Sequence, residues 1–154
     1  VFIPIFYLLS SRFFSKKVAF LASILLLLDP TYIALSRWVM HDSFLTACTF
    51  ISTIIFALGV REKSQKYLLI SGLFLSLGFL TKPNGLLPVV SWFIVLWLYN
   101  REKVSSFIIA SLSFLLFTIV LWPSSWINPI ISIFEYLYRQ TQLTQIGINY
   151  YFFG

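Results

Sequence analysis

Eight of the eleven Lys and Arg residues sit in three short loops between long apolar runs: Arg12, Lys16 and Lys17; Arg61, Lys63 and Lys66; Arg101 and Lys103. Cytoplasmic loops of helical membrane proteins carry an excess of Lys and Arg, so this spacing threads the chain through a bilayer with those three loops inside. The remaining bases, Arg37, Lys82 and Arg139, then fall on the opposite, exoplasmic side together with Asp29, His41, Asp42 and Glu135. Function is to be sought among those outer charges.

Composition agrees without reference to the loops. The chain is 59% hydrophobic and only 10% charged, with mean hydropathy +0.90, the balance of an all-α helix bundle in lipid rather than of a soluble domain. The net charge of +6 is the loop bias itself and calls for no nucleic acid partner. Cys48 stands alone inside an apolar run, so neither an intrachain disulfide nor a cysteine metal cluster is available. The chain opens on Val1 within an apolar stretch that lacks the basic flank and cleavage site of a signal peptide. We expect a fragment of a longer protein, inserted by its own spans.

A helix rises about 1.5 Å per residue, so crossing a hydrocarbon core takes about 20 residues. Residues 1–10 read as the end of a span arriving at the cytoplasm; 18–36 run outward, 43–60 return, 67–81 run outward, 85–99 return and 104–122 run outward. This gives about five to six spans: a transmembrane core over 1–122 and an exoplasmic interfacial segment over 123–154. The stretches 67–81 and 85–99 are short, which puts the connection Thr81-Lys82-Pro83-Asn84-Gly85 below the outer surface, where irregular backbone needs a protein or water-lined setting. Lys82 is there either a site residue or a snorkelling one. At Asp29-Pro30, either one helix continues past a proline kink or Asp29 caps a new helix with Pro30 in its first position. Residues 130–140 predict an amphipathic helix with Ile130, Ile133, Phe134 and Leu137 on one face and a Glu135–Arg139 pair, lying at the membrane surface.

The outer loop Ser36-Arg37-Trp38-Val39-Met40-His41-Asp42-Ser43 holds a guanidinium, an imidazole and a carboxylate within six residues. Each also has a bland explanation: Asp42 as helix cap, Arg37 and Trp38 as interfacial anchors, His41 as a solvated loop residue. With one His and one Cys in the chain, no nucleophile triad or metal-ligand spacing is defined.

The run LDPTYIALSRWVMHDSFLTA, a basic loop, and then ISGLFLSLGFLTKPNGLLPVVSWFIVLWLY resembles the membrane core of GT-C-type glycosyltransferases, specifically the dolichyl-phosphate-mannose-protein mannosyltransferase-like group. The elements that carry the resemblance are Ser36-Arg37, then Asp42, then Gly72 and Gly78 leading to Thr81-Lys82-Pro83-Asn84-Gly85, with WPSSWINP following the last span. The resemblance implies transfer of a sugar, mannose among the candidates, from a polyprenyl- or dolichyl-phosphate donor to an acceptor hydroxyl on the exoplasmic face, with inversion. The acceptor class it leaves open: protein, lipid or glycan. It also implies an integral protein of a prokaryotic cytoplasmic membrane or of the endoplasmic reticulum.

Asp42 corresponds in that group to a supporting acidic position. The principal catalytic aspartate lies in an earlier exoplasmic loop, so the fragment alone is expected to be inactive. Arg37 and Lys82, with His41 and Asn84 beside them, are the expected contacts to the donor phosphate, since a departing phosphate needs preorganised positive charge. No cofactor is expected, and a divalent metal stays open. The competing expectation is a non-enzymatic polytopic protein, a transporter or lipid-handling subunit, because broken helices and intramembrane charge also occur there.

Overall fold

A computed structural model describes residues 2–37, 42–99, 104–128, 130–139 and 142, and these form helices joined by turns, with no strand among them. In order they are α1 (Phe2–Ser10), α2 (Lys16–Leu28), α3 (Pro30–Arg37), α4 (Asp42–Glu62), α5 (Gln65–Thr81), α6 (Leu87–Leu98) and α7 (Val104–Leu121). A final helix, α8, covers 130–139. Short 3-10 turns at Pro83–Leu86 and Pro123–Trp126 precede α6 and follow α7.

The helices bury small residues and hydroxyls beside an apolar core and turn other bulky apolar side chains outward. Ser52, Ser71, Ser76, Ser113 and Thr118 are buried, while Leu25, Leu28, Leu112, Leu116 and Trp97 are largely exposed. Lipid tails are as apolar as leucine, so helices in a bilayer associate through small residues and hydroxyls and turn their bulk outward. The α5–α7 contact shows this. A Cβ on Gly72 would lie 2.7 Å from the backbone nitrogen of Phe114, so the absent side chain lets the two backbones meet. Ser113 donates to the Leu69 carbonyl at 2.7 Å, and Thr118 donates to the Ser76 hydroxyl at 3.0 Å. Residue 69 pairs with 113 and 76 with 118, which makes α5 and α7 parallel.

Between α4 and α5 the chain makes a tight hairpin, the most extensive contact in the molecule alongside α5–α7. Ser52 donates to the Ser71 carbonyl at 3.0 Å. A cluster of Phe56, Val60, Leu68, Leu75, Trp92 and Ala110 fills the centre, with the Trp92 indole stacked on Phe56 at 4.5 Å between centroids. At the turn end Arg61 donates to the Arg12 carbonyl at 3.1 Å and lies over the Phe13 ring. Arg12, Lys16, Lys17, Arg61, Lys63 and Lys66 therefore gather at one end of the bundle, as the pattern predicts for the first two loops; Arg101 and Lys103 of the third lie outside the described residues.

Two helices, Asp42–Glu62 and Val104–Leu121, are long and apolar enough to cross a membrane; Gln65–Thr81 and Pro83–Leu98 are shorter apolar helices. Over the span expected at 18–36 the chain forms two helices, α2 and α3. The Asp29 carboxylate accepts from the backbone N–H groups of Thr31 at 2.7 Å and Tyr32 at 3.3 Å, so it caps α3 with Pro30 in first position. Of the two readings of that dipeptide, the cap holds. In α8 Ile130, Phe134 and Leu137 are exposed, while Ile133 and Tyr136 are half-buried. No ion pair joins Glu135 to Arg139 among the described residues. Tyr136 ties the helix to the bundle: its hydroxyl donates to the Phe79 carbonyl at 2.8 Å and its ring meets those of Phe79 and Trp122 edge-on. This anchor fixes which side of α8 faces inward.

Candidate functional site

The end of the bundle opposite the basic loops carries an ion pair that the fold builds from both sides. Asp42 opens α4, where the unpaired N–H groups of a first turn favour negative charge. Lys82 caps α5, where the unpaired carbonyls favour positive charge. The antiparallel hairpin brings those two ends together, and the Lys82 ammonium donates to the Asp42 carboxylate. Both side chains keep about 40% of their surface, 41% for Lys82 and 37% for Asp42. Pairs so exposed contribute only about 0–1 kcal/mol, so the contact is easily exchanged for another partner.

The backbone under Lys82 is tightly held. Its N–H donates to the Gly78 carbonyl at 3.1 Å, and its own carbonyl accepts from Gly85 at 2.8 Å. The 3-10 turn Pro83–Leu86 then doubles back into the bundle, burying Gly85 against Gly78 so closely that a Cβ on Gly85 would fall within the Gly78 backbone. Only glycine fits there. Asn84 is exposed on the outside of this turn.

Arg37 ends α3, and α3 packs on α4. Four residues of chain lie between it and Asp42, five steps with a reach of at most about 18 Å. The Arg37 side chain and the whole of His41 lie outside the described residues, so of the five expected site residues the structure brings together Asp42 and Lys82 and places Asn84 two positions beyond. Among the described residues no three His, Cys, Asp or Glu side chains converge.

Beside Asp42 opens a cavity of about 350 Å³, lined by Phe2, Ile5, Tyr32, Phe44, Cys48 and Phe74, with Ser43 at its edge. It lies between α1, α3, α4 and α5 and is almost wholly apolar. Sequence reasoning did not find this groove. In a chain that is 19% aromatic, nothing marks Phe2 or Phe74 as different from other phenylalanines; only the packing of α1 across α4 does.

No curated protein and no solved structure matches the chain. The family model for dolichyl-phosphate-mannose-protein mannosyltransferase matches it over residues 1–126. That span covers every element that frames the ion pair and the groove, and it decides between an enzyme and a transporter in favour of a membrane glycosyltransferase of the mannosyltransferase kind. The chain belongs to the dolichyl-phosphate-mannose-protein mannosyltransferase family.

Proposed function

We propose that the protein transfers a sugar, mannose being the first candidate, from a polyprenyl- or dolichyl-phosphate donor to a hydroxyl of an acceptor, a protein first among the candidates, on the exoplasmic face. The observation that carries this reading is the exchangeable Asp42–Lys82 pair beside an apolar groove. A donor of this class is a phosphate on a long isoprenoid chain. The groove suits the chain, and the lysine suits the phosphate.

In this reading the acceptor oxygen attacks the anomeric carbon from the side opposite the phosphate. The new C–O bond forms as the bond to the phosphate oxygen breaks, the leaving phosphate keeps the electron pair, and the hydroxyl proton passes to a carboxylate base, which inverts the anomeric centre. Lys82, with Arg37, takes up the negative charge that grows on the phosphate. Asp42 is a supporting carboxylate that orients the acceptor hydroxyl or the base. Because the resting pair is weak, arrival of the phosphate draws Lys82 away and leaves Asp42 open to the acceptor, so donor binding prepares the acceptor side. His41 and Asn84 are the further candidates for contact with the donor in this reading.

The membrane arrangement that goes with this has five to six crossings over 1–122. In it the basic end is cytoplasmic, α2 with α3 and α5 with the turn and α6 form broken or short crossings, and residues 123–154 lie at the outer surface with α8 along the interface. The test uses the full protein in membranes, with a labelled polyprenyl-phosphate mannose and peptide acceptors. Lys82→Ala, Asp42→Ala and Arg37→Ala should each depress transfer. Wild-type rates in all three would remove the site.

A further inference from the structure

The basic end holds a second cavity, of about 300 Å³, between the end of α4, the start of α5 and the start of α7. Its lining divides by chemistry. Lys63, Gln65, Ser105 and Ser106 present an ammonium, an amide and two hydroxyls, while Val60, Leu68 and Ile109 form an apolar wall. No acidic side chain lines it among the described residues. Two further exposed bases, Arg61 and Lys66, flank it in the chain, with Glu62 the acidic neighbour among the described residues and Glu102 outside them. From Ser105 the exposed Ile108, Leu112 and Leu115 continue along one side of α7, at the three- and four-residue steps that make a helical stripe. A ligand with a negative head and an apolar tail meets matching surface at each end.

We propose that this cavity seats the phosphate head group of an anionic phospholipid from the leaflet at the basic end, with its acyl chains along the outer stripe of α7. The site is separate from the Asp42–Lys82 end and does not depend on the transfer chemistry. Lys63 is its main anchor, with the Ser105 and Ser106 hydroxyls and the Gln65 amide as neutral donors to the phosphate oxygens. An anionic leaflet surface attracts every nearby base; a lined cavity adds a fixed position for one lipid.

The backbone at Lys63 offers a clean way to separate binding from folding. Lys63 has φ 55°, and the Ser64 N–H closes back onto the Gly59 carbonyl at 3.0 Å, the helix-ending motif in which glycine is the usual left-handed residue. Lys63→Gly therefore removes the ammonium while relaxing the backbone. The purified protein would be exchanged into mixed phosphatidylglycerol and phosphatidylcholine, and bound lipid counted by native mass spectrometry.

Wild type should prefer phosphatidylglycerol, and Lys63→Gly should lower that preference about tenfold or more, the scale of one lost hydrogen bond to a charged group, with Tm in phosphatidylcholine unchanged or raised. Ser106→Ala should lower it less, and Lys66→Ala, which lies outside the lining, should leave it near wild type. An undiminished preference in Lys63→Gly overturns the proposal. So does an equal loss in Lys66→Ala, which would mean diffuse attraction. Displacement of the lipid by millimolar inorganic phosphate, with no preference between the two lipids, would assign the cavity to a free anion instead.

Discussion

The two ends of the bundle hold charge in opposite ways. At one end Arg12, Lys16, Lys17, Arg61, Lys63 and Lys66 stand with few acidic neighbours, and Arg61 spends its hydrogen bond on a backbone carbonyl. At the other, one lysine and one aspartate meet, each on a helix terminus whose dipole favours it. Unpaired surface bases orient a chain in a membrane and attract anionic lipid. A balanced pair does neither. Its formal charges cancel at rest and reappear separately when a third charged group enters, which is a property suited to chemistry.

The sharpest way to break this contrast is to remove the pair without disturbing the fold. Lys82→Ala should reduce sugar transfer about 100-fold or more, the usual cost of losing one donor to developing negative charge. Its effect on stability should stay within about 1 kcal/mol, and Tm beside a transfer assay reads both. The double exchange Asp42→Lys with Lys82→Asp should keep the pair and lose transfer. Recovered activity there would make the contact structural only.

The middle of the bundle should respond in the reverse sense. Gly72→Leu forces α5 from α7 and should cost about 1–3 kcal/mol by overpacking, seen as a lowered Tm in detergent and loss of transfer only through instability. A smaller effect is expected at Asp29. Asp29→Ala removes the α3 cap and should cost about 1 kcal/mol, with transfer retained in whatever fraction stays folded.

The smallest expected effect is at Tyr136, whose hydrogen bond to Phe79 is worth about 0.5–1.5 kcal/mol. Burial pushes its phenol above the ordinary value of 10.0. A folded-state value raised in this way gives stability that is complete below the unfolded value and lost as pH rises through the folded one. Loosening of α8 above about pH 10, followed by tyrosine absorbance or hydrogen exchange, should therefore be present in wild type and absent in Tyr136→Phe.

Much of this layout was legible because membrane insertion writes it into short loops. The clustering of Arg61, Lys63 and Lys66 marks the α4–α5 turn, and Asp29-Pro30 announces a break whose two outcomes only the cap hydrogen bonds decide. Threading the chain by its bases also puts Asp42 and Lys82 at one end, forty residues apart in sequence.

The side-by-side run of α5 and α7 could not be read. Helices that are apolar all round offer no periodic face, and beside Gly72 the contact is made by Ser76, Ala110, Ser113 and Thr118, none conspicuous in a string of leucine and phenylalanine. The groove beside Asp42 was hidden for the same reason. The tie of α8 to the bundle was hidden too, because it is a hydrogen bond from Tyr136 to Phe79 across 57 residues.

The glycine-on-glycine contact of Gly85 with Gly78 has a mechanical consequence. Main chain seated on main chain has no rotamer with which to yield, so the root of Lys82 behaves as a fixed pivot while its four-carbon stem remains a swinging arm. The ammonium can follow a moving anion through an arc without the bundle having to deform.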